Sequence, residues 1–254
     1  WHLECSAMCL EHLGETVDIH CGGIDLVFPH HENEIAQSRC ANAGSPLARY
    51  WLHNGFLNVD ATKMSKSLGN VLLVHDLLQQ RPGEAIRLAL LSAHYRQPLD
   101  WTDAGLDEAV RRLDRLYGAL RGVEPGPKAE PAAAVLAALH DDLNTPLALS
   151  ELAQLARRLN RAEDPGERVR LAAELRASGE LLGLLSADPQ SWFERAAGAD
   201  DAPDDAAIEA QIAAREAARG RRDFAEADRI RDELAAAGIQ LEDGAGGTRW
   251  RRRS

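Results

Sequence analysis

The sequence predicts an α/β segment followed by a mostly helical remainder, and three observations carry that prediction. Up to about residue 95, short β-type runs closed by glycine-containing turns alternate with helical stretches. From about Thr102 the apolar residues recur at helical spacing instead. Alanine, leucine and arginine are frequent throughout, while aromatic residues make up only 5%, a composition that favours helices. At 254 residues, 45% of them hydrophobic, the chain has the length for two domains and the material for a sizeable core.

The elements follow in order. Val17-Asp18-Ile19-His20 is a short strand closed by Gly22-Gly23, and Tyr50-Trp51-Leu52-His53 is a second, ended by the turn signal Asn54-Gly55. Between them Pro29 is placed to open a helix from His30 to about Ala43, stopped at Gly44. A further helix is expected from Gly83 or Glu84 to His94. Leu106, Val110, Leu113, Leu116, Tyr117 and Leu120 then mark one face of a long helix. Pro125-Gly126-Pro127 breaks the chain, and Ala132 to His140 is the next helix. Thr145 is expected to cap a helix with Pro146 in its first turn, followed by Leu147, Leu149, Leu152, Leu155 and Leu159. A helix from about Glu167 to Leu182 completes a four-helix bundle, whose leucine stripes are core. The acidic, small-residue stretch 197–205 is a linker. Two short helices, Ala206–Arg219 and Asp223–Ala237, and a hairpin of Ile239–Glu242 with Thr248–Arg251 close the chain. The expected divisions are 1–95, 96–196, the linker 197–205, and 206–254.

Composition excludes several functions. No apolar run approaches the roughly 18 residues of a membrane span, so no membrane partner is expected. No charged-then-apolar leader precedes the first element, which makes a cytoplasmic address the default. Four cysteines in a chain of this length do not make a disulfide framework. Cys9, Cys21 and Cys40 are read as small core residues. The net charge of −11 argues against a general nucleic-acid coat, though not against local basic patches. The chain opens on Trp1 with no initiator methionine and reads as a piece of something longer.

Two strings carry chemistry. In Phe28-Pro29-His30-His31-Glu32-Asn33-Glu34, His30 and Glu34 are four apart and leave one face of a helix, where an imidazole and a carboxylate can both bind zinc. Cys5 can add a thiolate. Taken alone, such a pair is more often an exposed ion pair, and Cys5 an inert buried thiol. His31 and Glu32 point elsewhere on the helix and have weaker claims. The second string is Lys63-Met64-Ser65-Lys66-Ser67, followed by Leu68-Gly69-Asn70. Two ammonium groups among hydroxyls, ahead of a glycine, suit a loop that neutralises polyphosphate charge during attack at phosphorus. By itself a Lys/Ser loop is usually solvated surface.

Together the strings resemble a known family. Trp1-His2-Leu3-Glu4-Cys5-Ser6-Ala7-Met8, Asp18-Ile19-His20, Phe28 to Glu34 and Lys63 to Ser67, in this order, resemble the second half of the catalytic domain of a class I cysteinyl-tRNA synthetase. Asp141-Asp142-Leu143-Asn144-Thr145-Pro146 resembles the start of that family's helical domain, and Arg222 to Arg231 its small C-terminal domain. The resemblance implies a partial class I Rossmann-type catalytic domain, a helical bundle and a small C-terminal α+β module that reads the anticodon. It implies attachment of L-cysteine to tRNA(Cys) through cysteinyl-adenylate, with ATP as substrate, Mg2+ as its companion, and one Zn2+ that reads the substrate thiol. The zinc ligands carry over to Cys5, His30 and Glu34, with a fourth from a cysteine before Trp1. Lys66 carries over as the ATP-contacting, catalytic lysine and Lys63 as a second phosphate partner. Trp1 and Asp25 carry over to the cysteine pocket. A monomer is expected.

The sequence also departs from the family. Its His-x-Gly-His nucleotide motif and the upstream zinc cysteine are absent, so the chain alone is not expected to activate cysteine. Cys21 stands at a common glycine position, and Ala61-Thr62 replaces a commoner glycine turn. Two alternatives stay open, the cysteine ligase of mycothiol synthesis and a non-catalytic tRNA-binding fragment. The arginines of the tail, Arg219, Arg221, Arg222, Arg229 and Arg231 with Arg249, Arg251, Arg252 and Arg253, either face an RNA or form a solvated face balanced by Glu226, Asp228, Asp232 and Glu233.

Overall fold

The computed structural model describes residues 1–59, 62–64, 71–124, 126–194, 205–244 and 247–252. Lys66 with the rest of 65–70, Ala61, Pro125, residues 197–204 of the expected linker and Arg253 lie outside the described residues. The chain forms two compact units. One comprises Trp1–Val71, Ala89–Gly105 and Ala138–Pro146; the other comprises Leu72–Leu88, Leu106–Ala137 and Leu147–Ser254.

In the first unit, α1 (His2–Leu13) precedes a βαβ element. Strands β1 (Val17–Gly23) and β2 (Ala48–Asn54) pair in parallel, with Ile19 opposite Tyr50, His20 opposite Trp51 and Gly22 opposite His53. A parallel pair needs a crossover, which here begins with a 3-10 turn at Ile24–Leu26 and a π-helical turn at Val27–His31. Helix α2 (Glu32–Ala41) completes it. The helix expected from His30 therefore becomes α-helical only at Glu32, because Phe28 is extended (φ −134°, ψ 135°) within the wider turn. It ends as expected before a left-handed Gly44 (φ 91°). The buried Ser6 hydroxyl of α1 donates to Gln37 Oε1 of α2 (2.8 Å). Cys21 and Cys40 are exposed and Cys9 half-buried, which corrects the expectation of core positions. Cys21 lies on a strand whose outward face is open, and Cys40 on the outer face of α2. Large apolar groups on this unit are also exposed, among them Leu3, Met8, Leu13, Ile19 and Tyr50.

A three-stranded sheet follows, with β3 (Leu57–Val59) between the two-residue β4 (Thr62–Lys63) and β5 (Leu99–Trp101). The turn at Asn54-Gly55 needs its glycine, since a Cβ on Gly55 would lie 2.4 Å from the Gln97 carbonyl oxygen. Short α3 (Val74–Leu78) leads to α4 (Gly83–Leu91). Helix α4 stops short of His94, as the Ser92 hydroxyl donates back to the Ala89 carbonyl (2.7 Å). That stop frees His94, Tyr95 and Arg96 to hold the Asp141–Pro146 string. Asp142 and Leu143 both have positive φ (54° and 53°). The Asp142 carboxylate accepts from the Tyr95 hydroxyl (2.7 Å) and Arg96 Nε (2.6 Å), and the resemblance-bearing string is thus a backbone clamp. The same contacts hold the Asp142 carboxyl down at about 2.

In the second unit, α5 (Asp103–Leu120) buries every residue of the expected Leu106–Leu120 stripe. Helices α6 (Ala133–His140), α7 (Thr145–Arg161) and α8 (Pro165–Glu180) complete the bundle, and α9 (Pro189–Glu194) follows. Leu149, Leu152, Leu155 and Leu159 are buried as expected, whereas Leu147 is 43% exposed, near the start of α7. Thr145 is the first residue of α7 rather than its cap, with its hydroxyl turned to the Ala93 carbonyl (3.4 Å). Asp164 caps α8 by accepting from the Glu167 N–H, with Pro165 at the first turn. The polar centre of this unit is Glu84. Its carboxylate accepts from the Tyr117 hydroxyl (2.8 Å), the backbone N–H of Leu185 and Ser186 (3.1 Å each) and the Ser186 hydroxyl (2.6 Å). Tyr117 is fully buried, and burial pushes its hydroxyl pKa up.

The C-terminal module packs α10 (Asp205–Gly220) and α11 (Phe224–Ala236) on an antiparallel hairpin of β6 (Ile239–Gly244) and β7 (Gly247–Arg252). Its core is Ile208, Ile212, Ile230, Leu234, Ile239 and Trp250, and the Trp250 indole N–H donates to Glu209 (2.7 Å). Among the described residues no helix is long and apolar enough to cross a membrane.

Two outcomes follow from these contacts. Glu84→Ala leaves two backbone donors and a buried hydroxyl short of an acceptor, and should lower stability in urea unfolding by about 2–3 kcal/mol, with Glu84→Gln costing about half. The Asp142 carboxyl titrates below its ordinary 3.8, so its stabilisation is full above that value and is lost as pH falls towards 2. Asp142→Asn should therefore flatten acid unfolding between pH 4 and about 2, read by far-UV circular dichroism.

Candidate metal centre

The site is built from four elements that each contribute for a local reason. Helix α1 carries Cys5 one turn from the chain start, and the π-helical turn and α2 carry His30, His31 and Glu34 at spacings of three and four that share one face. The parallel register then places His20 of β1 beside Trp51 of β2, with ring centroids 4.7 Å apart. Gly22 makes room behind them, since a Cβ there would lie 2.7 Å from the His31 ring.

Glu34 is the centre of the arrangement and is fully buried. Its Oε1 lies 3.5 Å from His30 Nε2, and its Oε2 lies 3.4 Å from His20 Nε2 and 4.0 Å from His31 Nε2. Neither oxygen accepts a hydrogen bond among the described residues, and buried His30 Nδ1 also lacks a partner there. A carboxylate removed from water without donors is costly unless a cation offsets it. Cys5, His30 and Glu34 present donor atoms within 4.8 Å of one another, and so do His20, His31 and Glu34. Ligand bonds of about 2.0–2.3 Å span such a gap with modest closure, so the residues present fit a tetrahedral cation. A set that includes a thiolate favours zinc over a hard, oxygen-seeking ion.

The surroundings keep nearby groups neutral. His31 is pushed down to about 4 by burial and by the neighbouring His20, His53 and His30 rings. Its Nδ1 meets His53 Nε2 at 2.8 Å, which requires one of these nitrogens to donate and the other to accept. The Cys9 thiol is held up by burial and by the charge of Glu34 and Cys5, and so stays protonated at neutral pH. The Trp1 ring stacks on His30 with centroids 4.2 Å apart and planes 21° from parallel.

The candidate residues divide accordingly. Cys5, His30, Glu34 and Trp1 come together. Asp25 is exposed in the 3-10 turn after β1, its carboxylate lying against Gly23. The backbone of Lys63 pairs with Asn58, and Lys66 lies outside the described residues. His31 does not point elsewhere as the helical reading held. It is 3% exposed and faces Glu34, because positions three and four before a helical residue border it alike. Sequence reasoning passed over His20, His53 and Trp51. Their signal was alternation along two strands that end in glycine turns, which marks one shared face only once the strands are paired.

A family model described as tRNA synthetases class I (C) catalytic domain matches residues 1–111. The DALR domain matches 134–186, and the Cysteinyl-tRNA ligase anticodon binding domain matches 203–251. The agnB2 LeuRS of Agrobacterium radiobacter K84, solved as a ternary complex with tRNA and LeuAMS, aligns with TM-score 0.51 at 20% identity. That alignment covers 70% of this chain and 27% of the other, and is a likeness of fold. The matched domains are those of class I tRNA synthetases. The Cysteine--tRNA ligase of Paramagnetospirillum magneticum is 63% identical over 99% of this chain and 55% of its own length. That of Parvibaculum lavamentivorans is 61% identical over 99% of this chain and 54% of its own. The chain belongs to the cysteinyl-tRNA ligase family, and it spans about half the length of these curated relatives.

The orphaned carboxylate gives a test with opposite signs. In chelator, Glu34→Gln should be at least as stable as the parent, since it removes a buried charge. With saturating zinc the parent's melting temperature should rise and the variant's should not. Thermal unfolding in both conditions decides it. A less stable variant in chelator, or an equal zinc shift, counts against the centre.

Proposed function

We propose that this chain belongs to an enzyme that attaches L-cysteine to tRNA(Cys) in two steps, using ATP with Mg2+, in the cytoplasm and as a monomer. The buried, hydrogen-bond-free Glu34 beside Cys5 and His30 carries this reading, because it supplies a reason for a thiol-reading metal in a protein of this family. Cys5, His30 and Glu34 would hold the zinc ion. When bound, zinc supplies a coordination position that takes a thiolate far more strongly than a hydroxyl, and so separates cysteine from serine where shape alone separates them poorly. The choice of this set over His20, His31 and Glu34 rests on its sulfur donor.

The protein's own groups do the remaining work. Trp1, stacked on His30, fixes that ring and walls one side of the pocket, and Asp25 meets the amino group of the substrate. The substrate's carboxylate attacks the α-phosphate of ATP, forming the mixed anhydride and releasing pyrophosphate. Lys63 and Lys66 neutralise the charge that builds on the phosphate oxygens in that step. The 3′-terminal ribose of the tRNA then takes the acyl group and releases AMP. The C-terminal module makes the RNA partner a better fit than the amino-sugar acceptor of mycothiol synthesis.

The test uses the enzyme with a complete catalytic domain. Cys5→Ala should reduce bound zinc from one per chain to near none and lower cysteine-dependent pyrophosphate exchange by about 100-fold or more. Lys66→Ala should leave zinc content intact and lower the exchange kcat by about 100- to 1,000-fold. Full zinc in the Cys5 variant, or unchanged exchange in the Lys66 variant, removes the corresponding assignment.

A further inference from the structure

Most arginines of the C-terminal module are engaged internally. Arg215 and Arg219 meet Asp243, Arg229 meets Glu226 and Glu233, and Arg231 meets Asp228 and Asp232. Arg251 meets Glu242, and Arg252 meets Asp205. Arg221, Arg222 and Arg249 are exposed and have no ion-pair partner among the described residues, and of the three Arg249 lies over the bare backbone of Gly122, where a Cβ would be 3.1 Å from its Nη1.

Arg249 lines a cleft of about 270 Å³ together with Arg176 of α8. Arg176 also lines an adjoining cleft of about 350 Å³, whose other cation is Lys128. Neither Arg176 nor Lys128 has an ion-pair partner among the described residues. Arg121, the remaining cation of the first cleft, is held by Glu242, Gln190 and the Trp250 carbonyl. Two acidic groups border the clefts. Asp188 already accepts from the N–H groups of Gln190 and Ser191, and Glu180, an exposed residue, lines the second. The result is three cations with no ion-pair partner among the described residues, in a row of two concave lobes, on a chain whose net charge is −11. Lobes that share one guanidinium suit a strand of linked phosphates better than a single small anion.

We infer that the two clefts joined at Arg176 hold the sugar-phosphate backbone of an RNA, with Lys128, Arg176 and Arg249 each meeting a phosphate. The inference rests on the tRNA reading above and adds a site to it. Contacts of this kind set affinity and register and carry no base sequence.

The experiment is fluorescence anisotropy of labelled tRNA(Cys) with the 254-residue chain over a range of salt. Arg249→Ala, Arg176→Gln and Lys128→Ala should each weaken binding by about three- to tenfold. Each should make the slope of log affinity against log salt shallower by about 0.7–0.9, and the triple variant should lose nearly additive amounts. Arg249→Lys should keep the slope, and Arg229→Ala, whose guanidinium is already paired, should change neither quantity. Thermal unfolding checks integrity; if Arg176→Gln does not fold, the Lys128→Ala, Arg249→Ala pair carries the test. Wild-type binding with unchanged affinity and slope in the variants overturns the site and leaves the tRNA reading standing. No binding by the wild-type chain overturns the site. Cysteine-dependent pyrophosphate exchange by the enzyme with a complete catalytic domain, which needs no tRNA, then tells separately whether the enzymatic reading stands.

Discussion

The first unit is organised around a carboxylate that receives no hydrogen bond from the described residues. Glu34 is fully buried, yet three imidazoles and a thiol converge on it from three elements. Each convergence has a local cause. The π-helical turn delivers His30 and His31 at the foot of α2, the parallel register delivers His20, and the missing side chain of Gly22 leaves space for the His31 ring. Burying such a charge works against folding, and a protein tolerates it where the charge has a use. The two oxygens of the carboxylate face different side chains, Oε1 towards His30 and Oε2 towards His20 and His31.

The second unit solves the opposite problem. Its central carboxylate, Glu84, is saturated with donors and ties α4 to α5 and to the segment before α9. Glu34 without donors and Glu84 with four are the same chemical group in two roles. The unsatisfied one marks chemistry and the satisfied one marks structure. A parallel contrast holds for the arginines, where pairing with neighbouring acids silences most of the positive charge and leaves a few guanidiniums outward.

Much of this was legible in the sequence, and the rest was hidden for identifiable reasons. The periodicity of Leu106–Leu120 and the His30–Glu34 spacing are local properties; the first helix forms as implied, and His30 and Glu34 share a face although His30 lies in the π-helical turn ahead of α2. The features of the centre that depend on strand pairing were not legible. His20 and Trp51 are 31 positions apart, and nothing local says they touch. Cys21 and Cys40 show the limit of residue type as a guide to burial, because the face a residue occupies outweighs its average preference. The Asp141–Pro146 string was recognisable as a resemblance, but its physical role as a clamp needed Tyr95 and Arg96 in place. Charge counting likewise could not separate Arg249 from its paired neighbours, since pairing is a matter of geometry.

That clamp also bears on how the chain is made. The first unit is discontinuous, and its last piece, Ala138–Pro146, follows Leu106–Ala137 of the second. During synthesis at about 5–20 residues per second, the segment that ends at Val71 must wait on the order of ten seconds for its closing piece. Over that interval the βαβ element already displays the apolar side chains of α1 and β1. The first unit is therefore complete only once α5 and most of α6 have been made, and before α7 and α8 have.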